Sequence, residues 1–245
     1  MSITTPVLAA SDLSKHYGNA AVRVAAVEGV SLTVERGEFV AIMGPSGSGK
    51  STLLSILGAM NPPTGGRVLI DEIDVYQLRQ DRQADLRREY LGFVFQQLEL
   101  IPYLTALENV MLPLAILKED GKRDRALAAL ERVGLDEAKA NRLPSALSGG
   151  EQGRVAIARA VVNDPPIILA DEPTGSLDTA TGDQVLSLLR QLAGHGHAVI
   201  MVTHNPESLR TVDRVVMLRD GRLASDSRVT AGTDQLLAPH GFCSG

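Results

Sequence analysis

The sequence predicts an α/β fold whose central sheet is largely parallel and which carries a helical insert. Short apolar segments alternate with amphipathic ones along most of the 245 residues, as strands do when helices connect them in parallel. After Phe95 the pattern changes, and about seventy residues carry only helical periodicity. We therefore predict a strand-rich core with a helical segment inside it.

Residues 44–51, GPSGSGKS, fit the pattern G-x-x-x-x-G-K-[ST] of a loop that binds di- or triphosphates. Glycines suit such a loop because it turns through positive φ and its backbone N–H groups approach the phosphates closely. The mostly apolar residues 38–43 predict a strand before the loop, and residues 51–57 predict a helix whose N-terminus points at the phosphates. Lys50 is expected to reach the β and γ oxygens, and the Ser51 hydroxyl to coordinate Mg²⁺. The candidate phosphate ligands are Gly44, Pro45, Ser46, Gly47, Ser48, Gly49, Lys50, Ser51 and Thr52.

Two further strands are predicted near this loop, over residues 27–34 and 66–75. The second follows the sequence PPTGG at residues 62–66, which is typical of a turn. Both would belong to the strand-rich part of the chain.

The helical segment covers about residues 97–163 and has its own start and stop signals. Thr105 and Glu108 form a capping box that opens a helix, and Pro113 should bend or end it. A second helix is predicted over residues 123–133, with Gly134 placed to stop it.

Strand and helix alternation returns after this segment, at residues 167–170, 185–192, 198–202 and 214–218. We therefore predict one domain over residues 1–245, interrupted by the helical insert. From about residue 225 to residue 245 the chain is polar and rich in small residues, and we expect a short, loosely ordered tail.

Composition limits the function. A formal net charge of −5 argues against general nucleic-acid binding, which usually shows a basic face, so we expect no nucleic-acid partner. The single Cys243 can form no disulfide within the chain, which favours a reducing compartment. The first ten residues do not have the pattern of a signal peptide, and no apolar run approaches the ~18 residues that span a bilayer. We expect a soluble, cytoplasmic protein that reaches a membrane only through a partner.

Asp171 and Glu172 follow the apolar run at residues 167–170. A carboxylate at the end of a buried strand is costly unless a cation meets it. Downstream of a phosphate-binding loop that cation is Mg²⁺, and Asp171 would be its direct or second-sphere partner. Glu172 is suited to orient or deprotonate an attacking water. An acidic turn after a strand is the alternative interpretation.

Residues 147–152, LSGGEQ, are the second informative segment. Ser148 and Glu151 form another capping box, so a helix begins here. Gly149 and Gly150 expose backbone N–H groups at its positive end, which suits an anion. An ordinary helix cap would explain Ser148 and Glu151, but not two glycines that lower the stability of the first turn.

With these segments in order, the chain resembles the nucleotide-binding subunit of an ATP-binding cassette (ABC) transporter. The likeness covers about residues 7–223, and besides the phosphate loop and the acidic pair it includes a glutamine loop at Gln96, the signature at residues 147–151, the D-loop at residues 176–178 and a switch His204. It implies a P-loop NTPase (RecA-like) core with an antiparallel β subdomain and an inserted α-helical subdomain. It also implies that the chain hydrolyses ATP with Mg²⁺.

The resemblance further implies roles for individual residues. Tyr17 would stack on adenine, Gln96 would contact Mg²⁺ and the catalytic water, and His204 would hydrogen-bond the γ-phosphate. Ser148, Gly149 and Gly150 would bind the γ-phosphate of ATP held by the other subunit of a homodimer, and Asp178 would act across the same dimer interface at that nucleotide site. The catalytic group would comprise Glu172, His204 and Gln96. The ligands of Mg²⁺ would be Ser51, Gln96 and Asp171.

Within that family, four segments are similar to the lipoprotein-release and macrolide-export branch (LolD/MacB-like): residues 42–47, 91–96, 104–113 and 169–175. Members of this branch work on permeases with few membrane helices, so the resemblance implies a permease partner of the FtsX/MacB type and a place on the inner face of the cell membrane. Residues 97–103 are more apolar than a free loop needs, and they either dock on that partner or pack under the helical segment. The chain departs from many relatives at Gly153, where they carry a second glutamine.

Two alternatives fit the sequence less well. Soluble ABC-type ATPases that act on DNA carry a long coiled coil between the halves of the site, and those that act on the ribosome usually carry two cassettes; this sequence shows neither feature. An import ATPase with a regulatory C-terminal domain would need more residues than follow the last predicted strand. The transported substrate stays open, because such subunits contact nucleotide and permease rather than cargo.

Overall fold

A computed structural model describes residues 5–19, 22–118, 120–175 and 177–229 of the chain, which form two β-sheets and a set of helices. The strands of the larger sheet are, in spatial order, β10 (Arg222–Arg228), β9 (Arg214–Arg219), β3 (Phe39–Met43), β8 (Ala198–Val202), β7 (Ile167–Asp171) and β6 (Leu91–Val94). Those of the smaller sheet are β2 (Val22–Val34), β1 (Leu8–Asn19), β4 (Gly65–Ile70) and β5 (Ile73–Asp74). The described α-helices are α1 (Lys50–Leu57), α2 (Gln80–Tyr90), α3 (Ala106–Met111), α4 (Lys122–Arg132), α5 (Glu137–Ala140), α6 (Gly149–Val161) and α7 (Thr179–Gly194).

Parallel pairing dominates the larger sheet, as predicted. β3 pairs in parallel with β8 and β9, β7 pairs in parallel with β6 and β8, and β10 lies antiparallel to β9. β3 and β8 are buried along their whole length, which explains why they are continuous apolar runs rather than alternating ones. The carboxyl ends of β3, β7 and β8 lie at one edge of the sheet, where the candidate site residues follow them in the chain.

The smaller sheet is antiparallel throughout its described strands. β1 pairs with β2 on one side and β4 on the other, and β4 pairs with β5. The antiparallel subdomain that the family resemblance implied is therefore confirmed, as is the α/β core.

Helices α3 and α4 of the helical segment begin or end where the sequence signals predicted, whereas the short helix α5 was not predicted. Thr105 and Glu108 form both bonds of the capping box at the start of α3. Pro113 lies in the 3₁₀ turn Leu112–Leu114 that follows α3, so it ends the helix. Beyond the C-terminal end of α4, Gly134 adopts a φ of 75° and stops the helix there.

One predicted strand is divided in two. Residues 66–75 contain a turn at Asp71 and Glu72, whose φ values of 49° and 67° cannot continue an extended chain. The result is the pair β4 and β5, followed by the 3₁₀ turn Val75–Gln77. Helix α2 was not predicted, because Leu86 is its one buried residue and its sequence therefore shows little apolar periodicity.

The C-terminal tail begins later than expected. β10 continues to Arg228, and the Arg214 guanidinium on β9 donates two hydrogen bonds to the Asp226 carboxylate on β10. This paired contact holds a polar strand in a place where composition suggested a loose segment. The rest of the predicted tail, including Cys243, lies outside the described residues.

The hydrophobic core consists of two clusters on opposite faces of the larger sheet. Phe39, Ala41 and Met43 on β3 pack with α3, α4, α6 and α7, whereas Val40 and Ile42 pack with α1 and the smaller sheet. β3 therefore joins both halves of the core and leads directly into residues 44–51. No helix in the described part of the chain has the length and apolar character needed to cross a membrane.

Candidate functional site

A cleft of about 740 Å³ opens at the carboxyl ends of β3, β7 and β8. Its position follows from the fold, since the loops after parallel strands meet at the same edge of the sheet. Most of the lining comes from the predicted phosphate loop, together with single residues from four other segments. The lining residues are Ala26, Gly44, Pro45, Ser46, Gly47, Gly49, Lys50, Ser51, Thr52, Gln96, Glu172 and His204.

The phosphate loop is wedged between two strands. A Cβ atom on Gly44 would lie 2.0 Å from the Leu218 carbonyl oxygen of β9, and one on Gly49 would lie 2.0 Å from the Ala26 carbonyl oxygen of β2. Both glycines also have positive φ, 153° and 97°. Only glycine fits at these two positions, so the neighbouring strands determine the course of the loop and direct the N-terminus of α1 at the cleft.

Lys50 holds its ammonium group inside this loop. Its side chain is only 8% exposed, and Nζ donates hydrogen bonds of 2.9 Å to the carbonyl oxygens of Gly44 and Pro45. A buried positive charge beside free backbone N–H groups at a helix N-terminus makes a strong anion site.

Ser51 and Asp171 meet across the cleft floor. The Ser51 hydroxyl donates to Asp171 Oδ1 at 3.3 Å. Burial raises the pKa of Asp171, because desolvation disfavours its charged form, and the nearby Glu172 carboxylate acts in the same direction. A cation would offset that cost, so this hydroxyl and carboxylate fit Mg²⁺, which prefers oxygen ligands. Within the described residues there is no group of three or more His, Cys, Asp and Glu side chains that could hold a metal ion.

Glu172 and His204 face each other beside this floor. Glu172 adopts a left-handed φ of 44°, and its backbone N–H donates to the Val202 carbonyl at the end of β8. His204 follows Thr203, whose N–H donates to the carbonyl of Ile42 on β3. These bonds bring the His204 Nδ1 atom to 3.0 Å from Glu172 Oε1.

Gln96 enters the cleft from the loop after β6, where it is exposed. A Cβ atom on Gly175 would lie 3.4 Å from Glu172 Oε2 and 3.6 Å from Gln96 Nε2. The Gln96 amide and the Glu172 carboxylate therefore both lie near Gly175.

The signature and D-loop residues form a separate exposed surface, outside the lining of the cleft. Ser148 caps α6, with both bonds of the predicted capping box to Glu151. Asp178 caps α7, and hydrogen bonds from Thr181 lower the pKa of its carboxyl group. The two helix starts are close, because a Cβ atom on Gly150 would lie 2.4 Å from Thr181 Cγ2. Of the predicted D-loop at residues 176–178, Ser176 lies outside the described residues.

Tyr17 also lies outside the cleft lining, and its side chain is 43% exposed. The Asn61 side-chain amide donates to the Tyr17 hydroxyl at 2.6 Å, and the Lys15 ammonium lies 5.3 Å from the ring centroid. Asn61, like Ala26 in the cleft, was missed by sequence reasoning. No local pattern marks either residue, because each reaches its place through a contact with a distant part of the chain.

A second, apolar groove of about 480 Å³ lies between the larger sheet and the helical segment. Its lining includes Phe95, Leu112 and Ile116, of which Ile116 is 69% exposed. Among the residues that the structure describes, its lining holds three arginines, Arg87, Arg88 and Arg159, and no carboxylate.

The apolar residues after Gln96 have different environments. Leu100 packs against the hydrophobic core, whereas Ile101 and Tyr103 are 39% and 86% exposed. The segment 97–103 therefore both packs against the core and displays apolar side chains. The Asn109 side chain is fully buried and donates to the Ile101 and Leu104 carbonyls. These bonds hold in place the turn that carries the exposed Ile101 and Tyr103.

Comparison with known proteins gives concordant results. A family profile described as "ABC transporter" matches residues 27–175. The uncharacterized ABC transporter ATP-binding protein YvrO of Bacillus subtilis is 47% identical over 91% of this chain and 97% of its own length. The pyoverdine export ATP-binding/permease protein PvdT of Pseudomonas aeruginosa is 49% identical over 91% of this chain, which spans 34% of PvdT. The dimeric structure of the cassette MJ0796 superimposes with a TM-score of 0.83 at 45% identity, over 91% of this chain and 99% of that one.

Proposed function

The chain belongs to the ATP-binding cassette transporter family, as an ATP-binding and ATP-hydrolysing cassette, and we propose that it acts as a homodimer that powers a separate membrane permease of the macrolide-export and lipoprotein-release type. The observation that carries this proposal is the convergence of Lys50, Ser51, Glu172 and His204 on one cleft. Phosphate-binding, metal-binding and proton-accepting groups are thereby within reach of one triphosphate.

In the proposed reaction, the loop N–H groups and Lys50 bind the phosphates of ATP and neutralise charge that develops during transfer. Glu172 orients the attacking water and accepts its proton. His204 donates a hydrogen bond to the γ-phosphate, and its contact with Glu172 holds that carboxylate beside the water. Ser51, Asp171 and Gln96 would hold Mg²⁺, which polarises the phosphate oxygens when bound.

The surface formed by Ser148, Gly149, Gly150 and Asp178 is proposed to complete the site of a second copy. These residues are exposed or half-buried and lie outside the lining of the cleft of their own chain, which leaves them available to a partner. Free N–H groups at the start of α6 suit the γ-phosphate of the partner's ATP. The related cassette MJ0796 was solved as a dimer, and in one structure it is bound to ADP and Pi, which supports this arrangement.

Tyr17 is proposed to stack on adenine. Its ring is partly exposed and held at the hydroxyl by Asn61, so a flat surface is ready for the base.

The apolar groove is proposed to receive a cytoplasmic segment of the permease, which places the cassette on the inner face of the membrane. Exposed apolar side chains together with three arginines in the lining suit a short helix that carries apolar residues and a carboxylate. Several relatives are named as fused ATP-binding/permease proteins of macrolide or pyoverdine export, which supports an FtsX/MacB-like partner.

Two measurements test the proposal. MgATP affinity, measured by titration, should fall strongly in Lys50→Ala, because the charge that meets the β and γ oxygens is lost. Lys122→Ala is the matched control, since Lys122 also donates to a backbone carbonyl, that of Ala115, but far from the cleft. Unchanged affinity in Lys50→Ala would remove the phosphate loop from nucleotide binding.

The partner is tested by co-purification with a tagged permease of the macrolide-export type. The wild-type chain should co-purify, and Ile116→Glu should not, because it adds a desolvated carboxylate to the groove. Leu143→Glu puts the same group on an exposed apolar site outside the groove and should still co-purify. Equal recovery of both variants would contradict the assignment of the groove.

A further inference from the structure

The turn immediately after Gln96 has an unusual backbone. Leu98 and Glu99 have φ values of 57° and 47°, two consecutive residues in a left-handed region that side chains other than glycine rarely adopt. Inside the turn, the Leu98 N–H donates to the Phe95 carbonyl at 2.9 Å and the Glu99 N–H to the Gln97 carbonyl at 2.6 Å. Such a conformation persists only where surrounding groups hold it.

Arg159 on α6 is the group that holds it. Its guanidinium donates to the Leu98 carbonyl at 2.6 Å and also to the Glu99 carbonyl. The oxygens of both left-handed residues therefore converge on one side chain. Arginine suits this task because its planar fork offers several donors in fixed directions, which a lysine ammonium does not.

The same side chain contacts two functional regions. Arg159 lies ten residues after Gly149 on the same helix, about 15 Å along its axis, so it shares one rigid element with the signature. It also lines the apolar groove beside Phe95 and Ile116. A segment bound in that groove would contact the residue that holds the turn after Gln96.

We propose that Arg159 is a positioning residue for ATP hydrolysis: by holding the turn at residues 97–99, it sets the Gln96 side chain in the cleft. This inference rests on the proposed role of Gln96 in hydrolysis. Arg159 is not among the residues that line the cleft, and its described hydrogen bonds go to Leu98 and Glu99. Its effect on turnover therefore passes through Gln96. Occupation of the groove would then alter hydrolysis through this guanidinium.

The test compares steady-state ATP hydrolysis and nucleotide affinity in matched variants. Arg159→Met should lower kcat by about 10- to 100-fold, the scale expected when a catalytic group is displaced by about an ångström. ATP affinity should stay within about twofold, because the phosphate loop is untouched. Arg159→Lys keeps the charge but has a single donor nitrogen, and should recover part of the loss. Arg125→Met is the control, since Arg125 also donates to a backbone carbonyl near the end of α6, that of Val162, but not to this turn.

A double-mutant cycle distinguishes positioning from a general structural effect. In a Gln96→Ala background, Arg159→Met should cause no further loss of kcat, because residues that act as a unit are strongly non-additive. An equal loss in both backgrounds, or an unchanged kcat in Arg159→Met, would overturn the inference while leaving the role of Gln96 intact. A Gln96→Ala variant with full turnover would instead refute the role of Gln96, and this inference with it. If Arg159→Met does not fold, the same double-mutant cycle with Arg159→Lys distinguishes positioning from a general structural effect in the same way.

Discussion

The Nδ1 atom of His204 lies 3.0 Å from the Oε1 atom of Glu172, although 31 positions separate the two residues in the chain. The contact exists because β7 and β8 are parallel neighbours, and each residue follows its strand at the same edge of the sheet. An imidazole within hydrogen-bond distance of a carboxylate fixes the orientation of both side chains. In the proposed mechanism, this pair sets the general base against the attacking water.

Glu172→Gln should keep ATP binding and lose at least ~100-fold in turnover, the usual scale for a removed general base. Glutamine keeps the shape of the side chain and loses the proton acceptor. The variant should therefore accumulate as an ATP-bound dimer on size exclusion. Glu207→Gln, the same change at an exposed position after His204, is the control. A monomer with full turnover would remove Glu172 from the mechanism.

Gly149→Asp should block ATP-driven dimerisation while each chain still binds ATP. The new carboxylate would face the γ-phosphate of the partner's ATP in a water-poor interface, where like charges cost several kcal/mol. The fold should tolerate the change, because a Cβ atom on Gly149 would lie 3.6 Å from Leu177 Cδ2, an ordinary contact. Gly149→Ala adds a methyl group without a charge, so it separates the effect of side-chain size on dimerisation from the effect of charge. ATP affinity and ATP-driven dimerisation should be measured side by side.

Mixing experiments test the shared geometry of the two sites. A heterodimer of Gly149→Asp and Lys50→Ala chains keeps one composite site built from two wild-type halves only if sites are shared between chains. Such mixtures should therefore recover part of the activity that each variant lacks alone. Normal ATP-driven dimerisation of Gly149→Asp would show that the signature only caps α6 and does not contact the partner's ATP.

Gly150→Ala should destabilise the fold by about 1–3 kcal/mol, a usual cost of overpacking. The added Cβ atom would lie 2.4 Å from Thr181 Cγ2, closer than real contacts allow. Thr181→Ser removes that methyl group and keeps the hydroxyl that donates to Asp178, so the double variant should regain most of the stability. Chemical denaturation of Gly150→Ala, Thr181→Ser and the double variant measures how far the effects of the two changes on stability depend on each other. Additive effects of the two changes would show that the clash is relieved elsewhere.

Gly153→Ala should stabilise the protein by about 0.8–1 kcal/mol, the difference in helix propensity between the two residues. Gly153 lies inside α6, and an added Cβ atom would meet Val185 Cγ2 at 3.7 Å, which is favourable packing distance. Comparing this variant with Gly150→Ala on the same helix tests whether the distance from the added Cβ atom to its nearest neighbour decides between a gain and a loss of stability. A loss of stability in Gly153→Ala would show that α6 needs flexibility or closer approach there.

Local patterns were enough to predict the elements that carry their own signals. The capping boxes at Thr105 and Ser148 and the stop at Gly134 depend on residues within one or two turns, so they can be recognised in the chain alone. The break in the predicted strand at residues 66–75 was missed, because the turn at Asp71 and Glu72 contains no glycine or proline to indicate it. The strand to Arg228 was missed for a related reason, since it depends on a partner on another strand.

The sequence by itself determined the parallel α/β core, the phosphate-binding loop and the family, because each is encoded in short patterns of glycine, apolar and capping residues. Tertiary structure decided which of the predicted residues meet. It brought Glu172 to His204 and Ser51 to Asp171, and it left the signature on a separate surface. It also placed Arg159 on the turn after Gln96. Such contacts join residues far apart in the chain, and their distances are set by strand order and helix packing, which no single segment specifies.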